Sequence, residues 1–204
     1  MKNGTFQLAC GAILFLSTTI LLDSCRDANI VAIDTETVAT LIVAPTLPTS
    51  PYNYANLVLP NYLTTPPVVG IINTPNNNQI TDNGATLGRV LFYDKNLSFN
   101  NLVSCASCHK QAFSFSDTAT FSSGFNGGKT TRNSMSLLNA RYYPNGHFFW
   151  DERSASAEAQ ASRPIVNAVE MGMTIPSLVT RLRSVSYYPT LFQKAYGTTT
   201  IDSA

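Results

Sequence analysis

Histidine and charge are both scarce in this 204-residue chain. It contains two histidines, and Asp, Glu, Lys and Arg together make up only 12% of it, with a formal net charge of +1. A chain so poor in cations offers no basic face for nucleic acid, and one so poor in anions has no acidic tail. Any imidazole chemistry must fall on His109 or His147. There is a single tryptophan, Trp150, and there are four cysteines, each in a different setting, so no disulfide framework is called for. Strict alternation of apolar and polar residues is missing, as is any internal repeat, so nothing demands a strand. The longest largely apolar run, Leu8 to Leu22, is short and interrupted for a membrane span.

Against that sparse background stands Cys105-Ala106-Ser107-Cys108-His109. Two cysteines one helical turn apart can form thioethers with the two vinyl groups on one edge of a haem, and the adjacent histidine can offer its imidazole to the iron. A zinc half-site would need a second ligand pair, and a redox dithiol a strand–helix context. The chain shows neither, so the motif reads as an attachment site for one covalent haem c, with Cys105 and Cys108 bound to the ring and His109 to the iron.

Compartment follows from the leader. Lys2 and the apolar run behind it resemble a secretory signal, and Leu22-Asp23-Ser24-Cys25 resembles a bacterial lipobox, with Cys25 as the lipidated first residue of the mature protein. The alternative is ordinary signal cleavage nearby. Either way the expected location is the periplasm or cell envelope, with the membrane touched only through a lipid anchor. Residues 26–78 are rich in Pro, Thr and Asn, with Pro45, Pro48, Pro51, Pro60, Pro66, Pro67 and Pro75 denying them long helices. They read as a tether or wrapping arm. Residues 79–204 read as one all-α, cytochrome c-like domain with long loops, built around haem.

Within that domain Thr81 or Asp82 caps a helix carrying Ala85, Leu87, Val90, Leu91 and Tyr93 on its apolar side. Helical turns are expected near 103–113 around the haem motif, over 134–141 and over 154–162. Two further helices open at Pro176 and Pro189, the last one ending at Gly197.

Four segments occur in order: Leu87-Gly88-Arg89-Val90-Leu91-Phe92-Tyr93-Asp94, the stretch 104–109, Phe149-Trp150-Asp151-Glu152-Arg153 and Glu170-Met171-Gly172-Met173. Together, over about residues 80–198, they resemble the N-terminal haem domain of the bacterial di-haem cytochrome c peroxidases and their MauG-like relatives. The resemblance implies a peroxide-binding haem in this domain. It also implies a second haem domain, which would accept electrons from a cytochrome c or cupredoxin. Only one haem motif is present, so this chain resembles the peroxidatic half, with the electron-entry half missing from it.

The resemblance also assigns roles. Glu170 matches the acid–base glutamate of the distal pocket, Gln160 a hydrogen-bonding glutamine and Pro164 a wall restricting ligand space. Trp150 matches a tryptophan that relays electrons between haems, and Asn133 an asparagine whose backbone helps bind calcium. The loop 122–132 carries no histidine, as in the MauG-like branch with an open distal site. Glu152 stands where the family usually has glycine, and Ala168 where proline is common. The implied function is reduction of hydrogen peroxide to water at haem. The alternatives are MauG-like oxidation of a protein substrate, or a monohaem electron carrier, which would need a sixth ligand such as Met135, Met171 or Met173.

Overall fold

The computed structural model describes residues 44–202; the leader, Cys25 and the first part of the arm lie outside them. Among the described residues the fold is all-α, and pairing is limited to isolated bridges at Lys110–Ser116, Ser123–Lys129 and Phe148–Ser154.

The central helix is α2 (Asp82–Tyr93), after a four-residue α1 (Asn61–Thr64) in the arm. Thr81 starts α2 because its Oγ1 accepts the Gly84 N–H at 3.0 Å, satisfying an end group that the helix cannot. Leu87, only 2% exposed, points inward from its middle. A leucine buried to that degree contributes about 1.5–3 kcal/mol. The helix stops at Asp94, whose side chain serves the next helix pair.

That pair is α5 (Ile175–Ser184), capped by Thr174, and α6 (Tyr188–Tyr196), which ends at Gly197 as expected. Leu178, Leu182, Val185, Tyr188 and Leu191 fill the core between them and α2. Asp94 Oδ2 accepts the phenolic hydrogens of Tyr187 at 3.0 Å and Tyr188 at 2.5 Å, locking the C-terminus of α2 onto the start of α6. From α5, the Arg181 guanidinium donates to the carbonyls of Asn96 (3.0 Å), Ser98 (2.6 Å) and Phe99 (3.2 Å). One side chain therefore fixes the chain that leads into the haem motif.

The described part of the arm, from residue 44 on, lies along this domain. Asp82 Oδ1 accepts the N–H groups of Tyr54 and Ala55 at 2.7 and 2.8 Å, and Arg89 donates to the Tyr54 hydroxyl at 3.1 Å. Farther on, Asn73 donates its backbone N–H to the Arg141 carbonyl and its amide to that of Ala140, at 3.0 and 2.8 Å.

Three helical expectations need correction. Residues 103–113 split into α3 (Cys105–Cys108) and a 3-10 turn (Gln111–Phe113), because His109 and Lys110 leave the helical backbone region. Residues 134–139 are loop, followed by a single 3-10 turn at Ala140–Tyr142. The reason is burial: Met135, Leu137 and Leu138 are all exposed, so no apolar helix face is packed there. The helix expected over 154–162 is displaced to α4 (Ala157–Val166), because the Ser156 hydroxyl is the one that accepts from Ala159 N–H.

The tyrosine pair gives the fold an alkaline limit. Burial first, then the charge of Asp94, pushes the Tyr187 phenol up to about 12 and the Tyr188 phenol higher still. An unfolded chain releases these protons near pH 10 while the folded one keeps them. Stability should therefore be full below about pH 10 and fall as pH rises beyond it. Thermal unfolding followed by circular dichroism should show that decline flattened in Tyr188→Phe, at a cost of about 1–2 kcal/mol at neutral pH.

Candidate haem site

Ser104 and Ser107 form a reciprocal capping box around the start of α3, with the Ser104 N–H donating to Ser107 Oγ at 3.0 Å. That single turn brings Cys105 and Cys108 side by side as half-buried free thiols. Burial pushes both thiols up, so they stay protonated at neutral pH; the Ser122 hydroxyl opposes this at Cys108, while the charges of Asp117 and Glu170 add to it. His109 follows as the cap, its backbone N–H on the Cys105 carbonyl at 2.9 Å.

The orientation of His109 is set by the loop behind it. Its Nδ1 lies 3.0 Å from the Phe115 carbonyl oxygen. A carbonyl can only accept, so Nδ1 carries the hydrogen and Nε2 keeps its lone pair for a metal. Delivering that carbonyl forces Ser114 and Phe115 into the left-handed region, both at φ 57°. Each such non-glycine residue costs about 1–2 kcal/mol. The strain is held by backbone hydrogen bonds, Lys110 N–H to Ser116 O at 3.0 Å and Phe115 N–H to Lys110 O at 2.9 Å.

An ion pair with one buried member, Asp117, reinforces the same loop. Lys110 Nζ lies 2.6 Å from Asp117 Oδ1, and Ser122 Oγ donates to Asp117 Oδ2 at 2.6 Å. Burial opposes ionisation of Asp117, but these donors and the Ala119 N–H outweigh it and hold the carboxyl well below the usual range. Nothing in the sequence pointed to this pair. Its members are seven residues apart across a loop, where helical and strand periodicity do not apply, and the left-handed turn between them contains no glycine.

Glu170 comes from a segment clamped between two loops. Its carbonyl accepts the Phe125 N–H at 2.9 Å, and the next carbonyl, Met171, accepts the Phe99 N–H at 2.8 Å. The approach of the Phe125 loop needs glycine. A Cβ on Gly124 would sit 1.6 Å from the Val169 carbonyl oxygen, and one on Gly172, at φ +66°, would meet the Phe125 ring at 2.4 Å. Burial raises the half-buried Glu170 carboxyl above its ordinary range, with the Arg153 charge partly opposing. Gln160 and Pro164 lie one turn apart on α4, both half-buried, so they share a face. Because Pro164 has no N–H, the Gln160 carbonyl is relieved of its usual helical donor.

The remaining sequence candidates sort clearly. Trp150 is 59% exposed rather than a core aromatic, and its indole N–H donates to the Asn133 carbonyl at 2.9 Å. The structure thus joins two residues that the sequence offered for separate roles. Met171 and Met173, at 4% and 3% exposure, belong to the core; Met135 lies on an exposed loop. His147 is exposed and its charge acts on Glu152. Glu152 has φ 52°, in the left-handed region that favours glycine, and its carboxylate is anchored by the Tyr143 hydroxyl and by Asn145 at 3.0 Å. Among the described residues no group of three His, Cys, Asp or Glu side chains could hold a metal ion on its own.

Two thiols on one turn, beside an imidazole whose free nitrogen is fixed, fit covalent haem and little else. The family model described as "Di-haem cytochrome c peroxidase" matches residues 82–204. The chain belongs to the di-haem cytochrome c peroxidase family. Methylamine utilization protein MauG of Methylorubrum extorquens is 38% identical over 123 residues, 60% of this chain and 34% of its own length. Cytochrome c551 peroxidase of Pseudomonas aeruginosa is 37% identical over 118 residues, 57% of this chain and 33% of its own. This family member therefore spans about a third of the length of these curated relatives. Among solved structures, a MauG-like protein associated with microbial copper homeostasis matches with a TM-score of 0.61 at 34% identity, over 70% of this chain and 40% of that one. The cofactor of the di-haem peroxidase family is c-type haem, and the cytochrome c-like helical fold is shared with these neighbours.

The clamp on Glu170 can be tested directly. Gly124→Ala should cost about 3 kcal/mol or more in denaturant unfolding, since backbone must move to admit its Cβ. Gly70→Ala, whose Cβ would meet nothing within 4 Å, should stay within about 0.5 kcal/mol.

Proposed function

We propose that this domain is the peroxide-reducing half of a haem peroxidase, exported from the cytoplasm. Cys105 and Cys108 hold the haem, and His109 ligates its iron through Nε2. The observation that carries this reading is the pairing of a histidine fixed by the Phe115 carbonyl, 3.0 Å away, with a separately clamped, half-buried Glu170.

When bound, the haem supplies the iron that takes up hydrogen peroxide and the electrons that break its O–O bond. The protein supplies the proton traffic. Glu170 holds its proton more tightly than an exposed glutamate does. It can therefore receive the proton of the near peroxide oxygen and return it to the far one as water leaves. Gln160 orients the bound peroxide by hydrogen bonding, and Pro164 limits the space beside it. Trp150 passes electrons from a partner surface, a role supported by its exposure and by the hold of the Asn133 carbonyl on its indole N–H. That partner is a second haem domain, itself supplied by a small cytochrome c or cupredoxin. The burial of Met171 and Met173 in the core weighs against a carrier with methionine as sixth ligand.

Stopped-flow reaction of the haem-loaded chain with peroxide tests the assignment. Glu170→Gln should slow peroxide cleavage about 10²-fold or more while covalent haem, read by mass, stays intact. Equal rates would remove Glu170 from the mechanism.

A further inference from the structure

The peroxidase reading leaves one buried charge beside the haem motif without a task. The Asp117 side chain is 4% exposed, with Lys110 Nζ at 2.6 Å on one oxygen and Ser122 Oγ at 2.6 Å on the other. The Ala119 N–H adds a third donor at 3.1 Å. This carboxylate is tied to the attachment site from two sides. Ser122, itself 1% exposed, stands beside the Cys108 thiol, where the charge of Asp117 is also felt. Lys110 directly follows His109, and its backbone closes the turn that presents the Phe115 carbonyl. The two charges are not equally screened, because the Lys110 side chain is 38% exposed. Water and salt weaken the field of the lysine more than that of the buried carboxylate.

We propose that the Lys110–Asp117 pair sets the haem reduction potential, with the buried Asp117 carboxylate favouring the ferric state. The inference rests on the haem reading above. Reduction adds one electron, delivered by the donor protein, and lowers the charge at the iron by one. A fixed negative charge near the site stabilises the more positive ferric form and so opposes that step. Lys110 moderates the effect, and Ser122 carries the carboxylate's position to Cys108. Asp117 acts at a distance and touches neither peroxide nor iron; it is a tuning residue.

Optical redox potentiometry of the haem-loaded chain separates this from a merely structural brace, because the two charges must act with opposite sign. Asp117→Asn should move the ferric–ferrous equilibrium about tenfold toward ferrous, which is a rise of 59 mV for one electron. Lys110→Met should move it about threefold the other way, Lys110→Arg should leave it in place, and the double variant should settle about threefold toward ferrous. Loosening of the His109 loop would instead drive both single variants in one direction. That outcome, or no movement in either, overturns the proposal. If Asp117→Asn does not fold, Lys110→Met decides alone: a lower potential supports the proposal, and an unchanged or higher one overturns it. A parent chain without covalent haem would overturn the haem reading, and this inference with it.

Discussion

The hydrogen bond between His109 Nδ1 and the Phe115 carbonyl is the contact on which the rest of the site depends. It fixes the tautomer of the histidine beside the two cysteines and aims the free Nε2 lone pair. The chain accepts two consecutive left-handed residues, Ser114 and Phe115, to make it. A loop of such geometry would relax if left alone. It is held by its own backbone pairs and by the ion pair from Lys110 to the buried Asp117. Strain, hydrogen bond and charge therefore form one unit, positioned directly after the attachment cysteines.

A second unit is built by different means. Glu170 is presented by backbone carbonyls that pair with Phe125 and Phe99, and by glycines that let those strands of loop approach. The helical core sets the distance between the two units. Asp94 ties α2 to α6 through two tyrosines, and Arg181 ties α5 to the carbonyls at 96, 98 and 99 that lead into the haem turn. Three helices and two side-chain anchors thus support a site that itself consists mostly of loop. This division suits a domain in which a large flat cofactor takes the place of part of an apolar core.

Much of this was legible in the sequence. The Cys-x-x-Cys-His spacing named the cofactor, Thr81 and the prolines at 176 and 189 marked helix starts, and the order of four short segments marked the family. Other parts were not legible, for physical reasons. The apolar residues at 135, 137 and 138 suggested a helix, yet they stay exposed, and periodicity cannot tell a buried face from an uncovered one. Phe115 acts through its backbone carbonyl, which no side-chain pattern reveals. The pairing of Trp150 with the Asn133 carbonyl and of Lys110 with Asp117 spans loops whose path depends on positive φ values at Ser, Phe and Glu residues. Sequence rules look for glycine at such places.

The central claim is that His109 is the sole protein ligand to the iron and that the opposite face, bordered by Glu170, is left for peroxide. Electron paramagnetic resonance of the ferric, haem-loaded chain reads the axial ligands directly. The account predicts a high-spin signal that is lost rapidly on adding peroxide. A low-spin histidine–methionine signal that is indifferent to peroxide would contradict it.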